Sequence, residues 1–134
     1  MRIAICDNQK EFLLKSEETI LSICRKKMIS AEIECFHSTN NLIAAFNEDE
    51  YAFDLVLLNI YMPKINGQVC AKKLRSKSKY FKLVFMTSYK ADLFSLFQYD
   101  IRGFVPKSML KEFMERELIN ISSETEREKI AAAV

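Results

Sequence analysis

Five short apolar segments, spaced by longer stretches of mixed apolar and charged residues, set the rhythm of this chain. They fall at 2–6, 31–36, 54–58, 82–86 and 101–105. Leu55 to Leu58 and Leu83 to Met86 are unbroken apolar runs, the pattern of central parallel strands covered on both faces. Residues 31–36 alternate, as a strand with one wetter face does. Turn residues close these segments: Asp7-Asn8, Asn59, Thr87-Ser88 and Pro106.

The stretches between them carry helical spacing. Leu13, Ile20 and Cys24, flanked by Phe12 and Ile23, form one stripe, while Lys10, Glu17, Glu18 and Arg25 point outward. Asn8 or Asp7 is the expected cap of that helix, which runs to about Met28. Ser38 caps a short helix with Leu42, Ile43 and Phe46 inward, frayed at Glu48-Asp49-Glu50. A third helix over 67–76 sets Cys70 and Leu74 one turn apart and carries a solvated basic face of Lys72, Lys73, Arg75, Lys77 and Lys79. The helix over 90–99, with Leu93, Phe94, Leu96 and Phe97, has more apolar surface than one buried stripe requires. Ser108 caps a last helix with Leu110, Phe113, Met114, Leu118 and Ile121 at i, i+3, i+4 spacing. Five strands alternating with five helices predict an α/β fold, a doubly wound five-stranded parallel sheet flanked by five helices with right-handed connections.

Composition changes little in this picture. The 134 residues make one domain's worth of chain, able to bury a core without staples. The expected domain covers 1–121, and the charged 122–134 extends the last helix or begins a linker. Four scattered cysteines form no CxxC pair and His37 is the only histidine, which argues against zinc. Three of the cysteines, in apolar segments, read as small core residues, and reduced thiols suit a cytoplasmic protein. Twenty basic against eighteen acidic residues leave a net charge of +2, so this domain is not expected to bind nucleic acid. Its apolar runs are far shorter than the ~20 residues that span a bilayer, and no membrane role is expected.

The chemistry gathers at strand ends, where open α/β sheets bind their ligands. Asp7-Asn8 follow the first strand, Asn59 the third, Thr87 the fourth and Lys107 the fifth. In that order, and with MPKING after Asn59, they resemble the receiver domain of two-component response regulators over nearly the whole chain. The opening IAICDNQKEF is most similar to receivers of LytTR-type transcription regulators. The resemblance implies a flavodoxin-like sheet of strand order 2-1-3-4-5. It implies a non-enzymatic signalling module, phosphorylated by a sensor histidine kinase and acting on transcription through an output domain that these residues do not include. It places Asn59 at the phosphoacceptor position, and gives Asp7, Asn8, Asn59 and the Tyr61 carbonyl to a Mg²⁺ site. Thr87 and Lys107 would bind phosphoryl oxygens, and Phe104 would be the switching aromatic. The fourth and last helices would form a homodimer interface through Leu93, Phe94 and Phe97.

Two of the three expected carboxylates are amides here. Asn59 cannot form an acyl phosphate, and with Asp7 alone the affinity for Mg²⁺ falls. An Asp7–Lys107 ion pair is then the expected outcome. Asn59 is either an engineered replacement of Asp or a natural one, and Asn8 as a second loss favours a natural pseudo-receiver. The usual proline after the lysine is replaced by Ser108, with Pro106 before it, which leaves the peptide geometry at 107–108 open. The alternative on a similar sheet is a small α/β enzyme or flavin carrier. A haloacid-dehalogenase-type phosphatase would want Asp-x-Asp, but Gln9 stands two residues after Asp7, and a flavodoxin-like carrier would want a hydroxyl- and glycine-rich loop that 7–10 does not supply.

Overall fold

The computed structural model describes residues 1–88 and 93–133, without the side chains of Leu93, Phe94 and Phe97. Strands β1 (Arg2–Cys6), β2 (Glu32–Phe36), β3 (Leu55–Asn59), β4 (Lys82–Thr87) and β5 (Gly103–Pro106) pair in parallel in the order β2-β1-β3-β4-β5. Helices α1 (Lys10–Lys26), α2 (Thr39–Glu48), α3 (Gly67–Lys77) and α5 (Leu110–Ala133) surround this sheet, and the described part of α4 (Leu93–Leu96) runs into a 3₁₀ turn at Phe97–Tyr99. The expected doubly wound sheet is therefore present, and residues 90–92 at the start of the expected fourth helix lie outside the described residues. The proposed interface residues Leu93, Phe94 and Phe97 lie outside the side chains described.

Strand alternation divides the core into two layers. Ile3, Ile5, Leu55, Leu57, Val84 and Met86 point toward α1 and α5, where they meet Leu13, Ile20, Met114, Leu118 and Ile121. Ala4, Cys6, Val56, Leu58, Leu83 and Phe85 point the other way, toward Leu42, Phe46, Cys70 and Leu74 of α2 and α3. All five residues of β3 are buried, as expected of a strand covered on both faces. Phe46 anchors the second layer, edge-on to Phe81 with ring centroids 5.0 Å apart and 5.9 Å from Phe53. Each such side chain contributes roughly 1.5–3 kcal/mol through burial.

The structure departs from the sequence reading at several ends. Gln9, not Asn8 or Asp7, holds the N-cap position of α1 and makes no side-chain cap; Asp7 instead accepts the Gln9 N–H at 2.9 Å. Ser108 does not cap α5 either, because a 3₁₀ turn at Lys107–Met109 intervenes and the helix starts at Leu110. The described peptide bonds are all trans, including 107–108. β5 starts at Gly103 rather than 101, after a turn at Asp100 whose φ of 53° a side chain rarely adopts.

Arg75 is no member of a solvated basic face. Its guanidinium lies 4.0 Å over the Phe81 ring and donates to the carbonyls of Phe81, Tyr99 and Asp100 at 2.7–2.8 Å. It ties α3 to the turns that precede β4 and β5. Of the cysteines, Cys6, Cys24 and Cys70 are core residues, and Cys35 is half-buried. Burial holds the Cys70 thiol up at about 12, so it stays protonated and behaves as an apolar side chain.

Asp54, just before β3, is buried at the N-terminal edge of the sheet. It accepts hydrogen bonds from the Tyr80 hydroxyl at 2.5 Å and from the Arg2 N–H at 2.7 Å. Burial pushes its carboxyl up, but these bonds and Lys129 outweigh burial and leave it below the ordinary aspartate value of 3.8. A carboxylate so lowered contributes its stability above that value and loses it as the pH falls through the folded-state value. Asp54→Asn is expected to cost about 2 kcal/mol in urea unfolding at neutral pH, since bonds to a charged acceptor are lost. The gap to the parent should close well below pH 3.8. A gap that stays constant into acid would mean that shape, not charge, sets the effect.

Candidate functional site

The carboxyl ends of β1, β3, β4 and β5 meet along one rim. Parallel register puts Asn59 beside Met86, one residue before Thr87, and puts Thr87 beside Pro106. The loop after β3 folds back on itself: Met62 and Gly67 both donate main-chain N–H groups to the Ile60 carbonyl, at 3.1 and 2.7 Å. The Thr39 hydroxyl donates to the Ile65 carbonyl at 2.7 Å and ties this loop to α2. Asn66 caps α3 by accepting the Val69 N–H at 2.9 Å.

Two polar groups organise the dent within this rim. The first is the buried Asp7. Its Oδ2 lies 2.5 Å from Lys107 Nζ, and its Oδ1 accepts from the Gln9 N–H at 2.9 Å and more distantly from Asn59 at 3.5 Å. The Lys107 ammonium is held from two further sides, by Gln9 Oε1 at 3.1 Å and by the face of Phe12, 4.5 Å from the ring centre. Removing such an ion pair's cation would leave a charge in a dry setting, which is costly.

The second is the carboxamide of Asn59, 4% exposed. Its Nδ2 faces Tyr61 O at 3.1 Å, Asn8 Oδ1 at 3.3 Å, Asp7 Oδ1 at 3.5 Å and Met62 Sδ at 3.5 Å. Two amide hydrogens serve these acceptors, so the contacts are shared. The orientation is fixed by chemistry: turned over, the amide oxygen would face a carboxylate and a carbonyl. The side chain thus places partial positive charge among three oxygens that a cation would otherwise need.

That arrangement does not fit Mg²⁺. The ion prefers carboxylates and water in octahedral array, whereas the dent offers one carboxylate, already paired with Lys107, and an amide N–H₂ directed at the remaining donors. Among the described residues no three His, Cys, Asp or Glu side chains stand where a metal ion could be held.

Of the residues singled out from sequence, Asp7, Asn8, Asn59, the Tyr61 carbonyl and Lys107 share one network. Thr87 is buried at the adjoining strand end. Phe104 is half-buried beside Phe85 and packs on the α2–α3 layer. The parts that Gln9, Phe12 and Met62 play at this site escaped the sequence reading. Nothing in their spacing marks them, because each matters only through contacts with Lys107 or Asn59 made across the fold.

Residues 3–120 match the family described as the response regulator receiver domain. Solved structures agree in shape. The response regulatory domain of mrkE from Klebsiella pneumoniae is 16% identical with a TM-score of 0.82, covering 95% of this chain and 99% of that one. A CheY-like receiver domain protein from Methanospirillum hungatei is 21% identical with a TM-score of 0.76, covering 95% and 97%. The RcsB response regulator of Salmonella typhimurium is 17% identical with a TM-score of 0.74, covering 92% of this chain and 60% of its own. Among curated proteins none matches. No described helix is long and apolar enough to cross a membrane. A parallel sheet in this order, a lysine-paired aspartate at its rim and a match over nearly the whole chain lead to one assignment: the protein belongs to the response regulator receiver family of two-component signalling.

Proposed function

We propose that this chain is a pseudo-receiver: a receiver held in one state by its own side chains, without a phosphoryl group or a metal. The observation that carries the reading is the Asn59 amide, whose Nδ2 is directed at Tyr61 O, Asn8 Oδ1 and Asp7 Oδ1. A carboxamide lacks the anionic oxygen that attacks a phosphodonor, and here its nitrogen stands in for the cation that such an attack requires. Lys107, which would grip a phosphoryl oxygen, is engaged by Asp7 and Gln9. Signalling would then run through protein contacts. The likeness of IAICDNQKEF to LytTR-type regulators supports a role in transcription through an output domain outside these residues. The RcsB likeness, to a protein described in connection with DNA interaction, is compatible with it. The contact would be a homodimer through the 90–99 region and α5, with a sensor histidine kinase having no acceptor to phosphorylate.

The test uses a small acyl phosphate with Mg²⁺ and mass spectrometry. The parent should gain no phosphoryl group, and a gain would overturn the reading. The double variant Asn8→Asp with Asn59→Asp should regain Mg²⁺ binding. At tenfold excess over its dissociation constant, the ion would then stabilise it by about 1.4 kcal/mol while leaving the parent unmoved. Light scattering on the same samples reports the dimer, and a monomer at high concentration would remove that part.

A further inference from the structure

The last turns of α5 meet the body of the protein differently from the first ones. From Leu110 to Ile121 the inward stripe (Leu110, Met114, Leu118, Ile121) is apolar and buried. The next inward position is Thr125, also buried, whose hydroxyl has no hydrogen-bond partner among the described residues. A buried hydroxyl left unpaired opposes docking. Apolar contact therefore does not explain why the helix continues along the body.

Charge does. Glu124 pairs with Arg102 at 2.9 Å, Glu128 with Lys82 at 2.9 Å, and Lys129 reaches the buried Asp54 at 3.4 Å. All three partners stand at the N-terminal edge of the sheet: Asp54 before β3, Lys82 opening β4, Arg102 before β5. Arg102 also pairs with Glu117 at 3.1 Å, so one guanidinium bridges the apolar part of the helix and its continuation. Acid meets base in every pair. Outside these contacts residues 126–133 are exposed, Ile130 among them.

We propose that residues 122–133 form an ionic strap, docked on the edge of the sheet opposite the Asp7–Asn59 dent, which lets go while the first turns of α5 stay in place. The chain then has a docked long helix and a frayed short one. The balance is set by whatever competes for Arg102, Lys82 and Asp54: salt, or a charged surface on a partner. This device does not depend on the reading of the dent and stands if that reading fails.

Amide hydrogen exchange tests it, with residues 112–120 of the same helix as the internal reference. Raising salt from about 0.05 M to about 0.5 M shortens the screening length several-fold. Exchange over 122–133 should then speed up roughly three- to tenfold, the range expected for a few partly exposed ion pairs, while 112–120 holds its rate. Glu124→Gln at low salt, which spares the Arg102–Glu117 pair, should produce the same local change. Lys82→Glu should loosen the strap, and adding Glu128→Lys should restore it. The proposal is overturned if neither salt nor Glu124→Gln alters 122–133, if the whole helix accelerates together, or if the charge swap restores nothing.

Discussion

Lys107→Met is expected to destabilise the protein by about 3–5 kcal/mol in urea unfolding, the cost of stripping a buried ion of its partner. Asp7 has no solvent exposure in its side chain, and the ammonium 2.5 Å away is the cation it is paired with. The Gln9 N–H and the distant Asn59 amide both serve Oδ1, so Oδ2 would face the change alone. The loss should be strongly non-additive. Asp7→Asn together with Lys107→Met should recover most of the stability, because an amide beside an apolar chain leaves no charge to solvate. If the double variant is as unstable as the sum of the singles, the ion pair is not what Lys107 supplies, and its stacking on Phe12 becomes the better account. Recovery would also show that the pair adds little net stability, since replacing both members of a buried pair is often neutral.

How far the sequence foretold this arrangement follows from the reach of each signal. LVLL and LVFM have the pattern of strands covered on both sides, which set the middle of the sheet, and hydrophobic period placed the first three helices to within a few residues. The strand ends then followed, because the polar residue after each apolar run must lie at the rim. The identities at the rim carried the resemblance, and of the residues named there Asp7, Asn8, Asn59, the Tyr61 carbonyl and Lys107 meet in one network. Residues whose role is made by distant partners could not be read. Arg75 sits in a run of lysines and looks like them; only the carbonyls of Phe81, Tyr99 and Asp100, brought together by the fold, give its guanidinium a place inside. Asp54 looked like a strand's first residue, and its hydrogen bonds to Arg2 and Tyr80 span gaps of 52 and 26 residues. Ser108 was misread as a cap because a 3₁₀ turn and an α-helix begin with the same residue types, and local preference does not separate them.

The amide at 59 also bears on how the two layers of the core relate to the rim. β3 is buried from end to end, so its last side chain has little freedom to leave the dent. A side chain fixed in that way can hold an orientation with shared hydrogen bonds that would be weak on a mobile loop. What makes Asn59 effective is therefore the rigidity of the strand and of the loop that follows it.

Gly67→Ala should test that rigidity directly, at an expected cost of about 3 kcal/mol, the upper end for overpacking a well-fitted interior. A Cβ there would come 2.2 Å from the Asn59 carbonyl oxygen and 2.8 Å from Ile60 Cα. These are backbone atoms of the central strand's end and cannot turn aside. The φ of Gly67 is not positive, so the reason for glycine is close approach and not backbone freedom. Its N–H donates to Ile60 O at 2.7 Å, the contact that draws the start of α3 onto the strand end. An added methyl must open that contact and carry Asn59 away from Asp7, so the Asn59 side-chain amide resonances should shift along with the unfolding midpoint. Gly103→Ala is the control. Its Cβ would come 2.5 Å from Cζ of Phe113, the far end of a side chain that can swing away, and the cost there should be nearer 1 kcal/mol. If both substitutions cost the same and the Asn59 amide does not move, then the strand end yields as easily as a ring, and the fixed amide loses its physical basis.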